Sequence, residues 1–447
     1  MSAISTVADS TQPTAPAARA AGAVEGANTT GRAGASAEPG LRARGRAVAW
    51  REPVAPSWYE LGERLAHGFL PARPPVRAMI GTWVQLDALA AEVALAPSQA
   101  AARALVARAE QAGELHALRV RVARLTPRNA EAAAMRVAVL TLACGWAHLD
   151  PMSPVHDAEV NAGLVELWSV LAHRLDHPNF VALPALALHN WAPARKPRRH
   201  LPIDQLARVE RLVPVVRWSP KGEPLSRLDH FMLATTRLEA RGVWLFRLAE
   251  TLAHTLADLG PDAPATATAL RRLARVLHTL RAQLAAEQRV VEAARVTDQQ
   301  RTALAALVRA AAPGRRGGPA AGAGPGRVTD HGALPRVAAA RPGGLLPGTL
   351  EPPVIQAAEA ALGMGAYRLG ESGRQSGRRH LPAAQRAWLT ALERHCAPVR
   401  GLGTRGGPAA AAYHEARTSL ITLRHSYAHL LHTAQALPPP SRAREVA

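Results

Sequence analysis

The chain has 447 residues, 48% of them hydrophobic, and carries a formal net charge of +20 at pH 7. A chain of this length buries a large core and has room for two or three domains. Its two cysteines, Cys144 and Cys396, are too few for a disulfide framework. No apolar run reaches the ~20 residues that span a bilayer, and no signal peptide is evident. The sequence therefore predicts a soluble, cytoplasmic protein without a membrane partner.

The positive charge is almost entirely arginine, because Lys196 and Lys221 are the only lysines. A charge this high would suit a polyanionic partner. However, the arginines are scattered among alanines, apart from the run over 195–199, and no zinc finger or RNA-binding motif accompanies them. We therefore expect no nucleic-acid partner.

The first half of the chain predicts a tail followed by a smaller helical domain. Residues 1–47 are mostly Ala, Gly, Ser, Thr and Pro with scattered Arg, a composition that predicts a disordered tail. Apolar residues at helical spacing predict an N-terminal helical domain over 48–222. Its predicted helices cover 78–125, 130–147 with Asn129 as the cap, 161–173 and 180–191. A basic loop over 192–202 and a short strand or helix at 213–218 follow.

The second half predicts a larger helical domain over 223–447. Clean apolar stripes predict long helices over 228–259 and 266–295, and shorter ones later in the chain. The low-complexity stretch over 313–347 predicts a long loop, either an unstructured insertion or a lid over a substrate. Alternation with period two is scarce, so the predicted fold class is all-α.

Three histidines stand close together on the last predicted helix, over 413–432. His425, His429 and His432 follow one another at intervals of four and three, which places them on one strip of the helix. Imidazole is a common ligand for metals and for haem iron. The same spacing also suits surface histidines that flank a buried apolar stripe, so spacing alone leaves both interpretations open. The stripe predicted for this helix consists of Leu420, Leu423, Tyr427, Leu430 and Leu431.

Five stretches, in order along the chain, resemble those of a known family. They are LDHPNFVALPALALHNW over 175–191, FMLATTRLE over 231–239, GESGRQS over 370–376, RRHLPAAQRAWLTALE over 378–393, and the C-terminal pairs Ala412-Tyr413, Leu423-Arg424 and His429-Leu430. Their order resembles the indoleamine 2,3-dioxygenase superfamily, which includes the ring-rearranging enzyme of pyrrolnitrin biosynthesis. The resemblance covers about residues 130–432 and implies a multi-helix haem-dioxygenase-like bundle, with 223–447 as the haem-binding domain.

The resemblance implies haem b as the cofactor. His429 would be the iron ligand, and His425 is the alternative. The family places its histidine three residues after an arginine, whereas Arg424 precedes His425 by one residue and His429 by five. We favour His429 because the following Leu430 matches the family better. The turn that would line the haem edge consists of Ser372, Gly373, Arg374, Gln375 and Ser376.

The same resemblance implies an active site that inserts dioxygen into the indole ring of tryptophan or a related compound. Phe231 would stack on the indole, and Thr235 and Ser372 would be the catalytic positions beside dioxygen and substrate. The remaining substrate positions depart from the family. Arg309 stands three residues beyond the expected carboxylate-binding position, Arg301 stands where an aromatic residue is usual, and Leu183 replaces another aromatic residue.

A glycine-rich loop that the family carries after its last long helix is also missing from this chain. These departures leave three functions open. The first is a haem-dependent dioxygenase-like enzyme, and the second is a haem enzyme that rearranges or hydroxylates an indole in secondary metabolism. The third is a non-catalytic helical protein that binds haem or a partner. A monomer and a homodimer both suit the sequence.

Overall fold

The computed structural model describes residues 66–146, 161–176, 186–195, 212–311, 351–364 and 381–435, with the backbone alone at 66 and 306–311. Contacts divide the chain into two units, Met1–Ala55 and Pro56–Ala447, and every described residue belongs to the second. Helices account for 74% of the chain described and strands for 1%, which confirms the all-α prediction. The predicted tail over 1–47 and the loop over 313–347 lie outside the described residues. The domain boundary after residue 222 stays a prediction.

Five helices and one short strand form the described N-terminal part. They are β1 (Ala66–Phe69), α1 (Val84–Ala94), α2 (Gln99–Gln111), α3 (Glu114–Arg119), α4 (Pro127–Ala143) and α5 (Ala162–Leu175). Helix α4 is the centre of this part, because α1, α2 and α5 all pack against it. Its alanines and branched apolar residues are buried around almost the whole circumference, as expected for a helix covered on several sides.

The start of α4 corrects the predicted helix boundary. The helix begins at Pro127, and the cap is Thr126 rather than Asn129, because the Thr126 hydroxyl accepts the Asn129 N–H at 3.3 Å. Proline suits the first helical position, since its missing N–H would have no partner within the helix. In α5, Asn161 caps the helix by accepting the Leu164 N–H at 2.9 Å.

A two-stranded antiparallel ribbon connects the two halves of the chain. Strand β2 (Ala192–Pro193) pairs with β3 (Leu212–Val213). Beside it, the Asn190 side chain donates to the Val216 carbonyl at 3.0 Å and accepts the Val216 N–H at 2.7 Å. The sequence predicts either a strand or a helix at 213–218. The structure has a short strand there, which ends at Val213.

Three long helices organise the C-terminal part: α6 (Arg227–Leu259), α7 (Pro264–Ala293) and α11 (Pro408–Gln435). Helix α6 starts at a capping box, in which Ser226 and Asp229 each accept the backbone N–H of the other. The short connection over 260–263 turns α7 back antiparallel to α6. Helix α11 packs along the length of α7.

Contacts at both ends show that α11 runs parallel to α7. At one end Arg405 Nη1 lies 2.7 Å from Asp262 Oδ2. At the other end the Arg227 guanidinium donates to the carbonyls of Glu292 at 3.2 Å and Thr433 at 3.4 Å. These carbonyls belong to the last turns of α7 and α11, where helical partners run out. Arg227 therefore ties the ends of three helices together.

The remaining helices pack around this core. They are α8 (Asp298–Ala311), α9 (Pro353–Ala361) and α10 (Ala383–Cys396), and a 3-10 segment over Ala397–Thr404 leads into α11. Helix α8 packs against α4 and α11, while α9 and α10 pack against α6. Within the parts of the chain that the structure describes, no helix combines the length and apolar character needed to cross a membrane.

Candidate functional site

The two helices predicted to flank a cofactor, α6 and α11, meet directly. Phe231 on α6 and Tyr427 on α11 are fully buried, and their ring centroids lie 6.2 Å apart. One turn further along α6, Thr235 Oγ1 lies 3.1 Å from the Tyr427 hydroxyl. Phe231 and Thr235 therefore share one face of α6, as their spacing predicts, and both contact the same tyrosine.

The predicted iron ligands lie on the other face of α11. His425 and His429 are both exposed, as is His432. Residues two apart on an α-helix point about 200° away from each other. Because Tyr427 faces Phe231, the histidines two residues before and after it face away. The structure therefore does not bring His425 or His429 together with Phe231 and Thr235.

Tyr427 is the residue that sequence reasoning missed at this site. The sequence predicts Tyr427 only as a member of the buried apolar stripe of the last helix. Yet it stands three residues after Arg424, which is the spacing at which the family places its histidine. That offset was the available signal, because Arg424 is itself one of the residues that carry the resemblance.

Haem held between α6 and α11 by His429 does not fit the residues present. A porphyrin there would have to separate Phe231 from Tyr427 and break the hydrogen bond between Tyr427 and Thr235. Tyrosine ligates haem in some proteins. Here, however, burial raises the pKa of the Tyr427 phenol above its usual value, which disfavours the phenolate that iron would bind. No group of three or more His, Cys, Asp or Glu side chains in the described ranges is placed to hold a metal ion.

One turn from Tyr427, four ionisable side chains join α6, α9 and α11. We call Glu239, Glu351, Glu359 and Arg424 the carboxylate cluster. Arg424 forms ion pairs with both Glu351 and Glu359. On the α6 side, Glu239 Oε1 accepts the Val354 N–H at 2.9 Å, in the first turn of α9, where the helix dipole favours negative charge. Glu239 Oε2 has no hydrogen-bond partner among the described residues.

Burial controls protonation in the carboxylate cluster. It raises the pKa of Glu239 to about 8, against the opposing effect of the Val354 N–H. Burial, and then the neighbouring Glu359, also raise the pKa of Glu351, while Arg424 acts in the opposite direction. For Arg424, burial lowers the pKa, but the two carboxylates outweigh it and the net change is upward. At neutral pH, Glu239 is therefore mostly protonated and Arg424 is charged.

The other predicted site residues are not brought to this place by the described structure. Arg301 lies on α8, where it pairs with Asp298. Arg309 also belongs to α8, but its side chain lies outside the description. Leu183 and the predicted haem-edge turn lie outside the described residues too; the turn comprises Ser372, Gly373, Arg374, Gln375 and Ser376. Their proposed roles stay predictions.

A shallow groove occurs elsewhere, between α1 and α2. Its volume is about 510 Å³, and its lining includes Leu95 and Leu105, together with the charged pair Glu92 and Arg108. Because the groove is built from helices other than α6 and α11, it does not supply an indole pocket beside Phe231.

No protein-family model matches this chain, and no match was found among curated proteins. The resemblance to the dioxygenase superfamily therefore rests on the five quoted stretches alone, and membership of that family stays a prediction.

Proposed function

We propose that this chain is a non-catalytic helical protein that acts through its surface, on a dioxygenase-like plan whose internal cofactor position is filled by its own side chains. One observation carries the proposal. Tyr427 contacts Phe231 and hydrogen-bonds Thr235 at 3.1 Å, in the place where the resemblance requires haem and substrate. A side chain already packed and hydrogen-bonded there leaves the position closed to a flat macrocycle.

The carboxylate cluster supports the same proposal. It links α6, α9 and α11 through Arg424 and Glu239, so these helices are joined by their own side chains. The Arg424 guanidinium needs Glu351 and Glu359 as partners, because a lone buried charge costs several kcal/mol. Inserting a cofactor beside the cluster would require α6 and α11 to move apart. That movement would disturb the contacts through which Arg424 and Glu239 link these helices to α9.

The second candidate is the haem-dependent dioxygenase-like enzyme acting on tryptophan or a related indole. The order of the five stretches favours it, as does the position of Phe231 and Thr235 on the face of α6 toward α11. This candidate requires α6 and α11 to separate, with His429, His425 or Tyr427 supplying the iron ligand. An indole-rearranging or hydroxylating haem enzyme would need the same opening.

An optical spectrum of the purified full chain, from cells well supplied with haem, separates the candidates. We expect no Soret band at one haem per chain, and no N-formylkynurenine absorbance with tryptophan and ascorbate. A stoichiometric Soret band that disappears in His429→Ala, but not in His432→Ala, would overturn the proposal. So would a band that disappears only in Tyr427→Phe, because it would place iron on the phenol oxygen.

A further inference from the structure

The solvent-exposed side of α7 concentrates positive charge. Five exposed arginines and one exposed histidine occupy it: Arg271, Arg272, His278, Arg275, Arg281 and Arg289. We call this set the α7 arginine face. No acidic residue occurs over 263–286, and the next one, Glu287, is buried and bonded to Arg237 Nε at 2.7 Å. The face therefore carries no acidic counterpart of its own along most of its length.

The arginines of this face have no ion-pair partner in the described part of the chain. Other surface arginines do, as Arg108 does with Glu92 at 3.7 Å and Arg119 with Glu166. The five arginines of α7 therefore present uncompensated charge to the solvent. Uncompensated cations arranged along one helix are the usual electrostatic footprint of a polyanion-binding surface.

An exposed tryptophan lies on α6, the helix that packs against α7. Trp244 on α6 is 57% exposed, and the Arg247 guanidinium lies 5.1 Å from its ring centroid. The buried pair of Arg237 and Glu287 sets the register of the antiparallel helices. Trp244 follows Arg237 by seven residues, so along the helix axis it lies about level with residue 280 of α7, midway between Arg271 and Arg289.

We infer that the α7 arginine face and Trp244 bind single-stranded nucleic acid. The inference names the partner class for the surface function proposed above, and it rests on that proposal. Arginine suits phosphate because its guanidinium donates two parallel hydrogen bonds. Bases of a single strand can stack on an exposed indole, whereas bases inside a duplex cannot.

The dimensions agree with this partner. From Arg271 to Arg289 the face is about 27 Å long at the rise of an α-helix. In a stacked strand the phosphates repeat at about 3.4 Å along the axis, and an unstacked strand is longer, so the face matches at most about eight nucleotides. That length lies within the ~4–16 nucleotides that single-strand-binding domains cover. The sequence-based expectation of no nucleic-acid partner treats the arginines as scattered. In the structure five of them are exposed along one helix, and the helical repeat places Arg271, Arg275 and Arg289 within about 40° of one another.

The test is fluorescence anisotropy of a fluorescein-labelled oligo-dT of about 20 nucleotides, titrated with the full chain at several KCl concentrations. We expect binding that weakens steeply with salt, because each phosphate contact releases counterions. Arg271→Glu with Arg275→Glu should weaken binding by about tenfold or more. Trp244→Ala should also weaken it about tenfold, while Trp244→Phe, which keeps a stacking ring, should retain most of the affinity.

The matched control is Arg73→Glu with Arg124→Glu, which changes the net charge equally at exposed positions away from α7 that have no ion pair among the described residues. If the control loses as much affinity as the α7 variant, binding reflects net charge alone and the inference is overturned. Binding to phosphatidylserine vesicles but not to the oligonucleotide would overturn it as well. An optical spectrum of the same preparation keeps the two proposals apart. If the protein is colourless and does not bind the oligonucleotide, only this inference is contradicted. If the protein carries haem and binds the oligonucleotide, the proposed function is contradicted.

Discussion

The Tyr427 side chain fills the space between α6 and α11 that a cofactor pocket would need. Its ring is fully buried against Phe231, and its hydroxyl is satisfied by Thr235. A phenol in this position contributes both packing and a hydrogen bond, and the two contributions can be separated by substitution. The loss of unfolding free energy on each substitution shows whether α6 and α11 are in contact in solution.

We expect Tyr427→Phe to lower the free energy of unfolding by about 1 kcal/mol, since only one neutral hydrogen bond is removed. Tyr427→Ala should cost about 3–5 kcal/mol, because it empties a large buried volume. Urea denaturation measures both values. A cost below about 1 kcal/mol for Tyr427→Ala would show that the ring is not packed in a core.

Glu239 predicts a distinctive pH dependence of stability. Its pKa in the folded chain is about 8, raised by burial from the ordinary value of 4.5. The folded state therefore holds a proton that the unfolded state releases above pH 4.5. The stabilisation is complete below pH 4.5 and is lost as the pH rises to about 8, by about 1.4 kcal/mol for each pH unit in this window.

Glu239→Gln should remove this contribution, because the amide stays neutral and still accepts the Val354 N–H. Urea denaturation of both proteins between pH 5 and pH 9 checks the prediction. We expect the variant to gain stability relative to the parent chain as the pH rises. Parallel curves for the two proteins would show that Glu239 is already ionised in the folded state.

At the scale of helices, α6 and α9 approach each other closely at Gly242. Gly242 lies inside α6, and a Cβ added there would fall far inside van der Waals contact with Val354 Cγ2 on α9. Glycine in a helix usually costs about 1 kcal/mol relative to alanine. Its presence here is explained by the space that α9 occupies.

Gly242→Ala should therefore destabilise the chain by about 1–3 kcal/mol, although alanine is the better helix former. Thermal or urea denaturation measures the loss, with Gly401→Ala as the control, since a Cβ there meets only the distant side chain of Arg405. Adding Val354→Ala to Gly242→Ala should recover part of the stability. No recovery would mean that α6 and α9 are not packed at this point.

The helices themselves were largely predictable from the sequence. The prediction over 228–259 lies within one residue of α6 (Arg227–Leu259), because a long apolar repeat marks this helix. Boundaries marked by a single polar residue were less secure, as α4 shows, where Thr126 and Pro127 precede the expected cap Asn129. Local chemistry can start a helix at several neighbouring residues, and packing selects among them.

The orientation of α11 was not predictable from spacing alone. Leu423, Tyr427, Leu430 and Leu431 were assigned correctly to a buried stripe, and all four are buried. The histidines were placed on a neighbouring strip that could reach a cofactor. A step of two residues, however, turns a side chain by about 200°. Because Tyr427 is buried against α6, His429 points toward the solvent. This packing depends on tertiary contacts, which the local sequence pattern does not predict.

Across the whole molecule, long-range polar contacts join segments that are distant in sequence. Gln299 Nε2 on α8 donates to the Val93 carbonyl at 3.1 Å, and Gln300 Nε2 donates to the Trp218 carbonyl at 2.6 Å. Helix α8 thus bonds to the N-terminal helices while packing against α11. Sequence periodicity does not predict these hydrogen bonds, because a glutamine side chain can bond to any nearby backbone group.

The most direct test of the closed position between α6 and α11 is an equilibrium titration of the purified full chain with hemin, followed at the Soret band. We predict no saturable binding at one hemin per chain, and weak uptake by the exposed histidines that His425→Ala with His429→Ala removes. Tight one-to-one binding would contradict the account. If the double variant abolished it, iron would lie on one of these histidines, and if the double variant retained it, another residue such as Tyr427 would be the ligand.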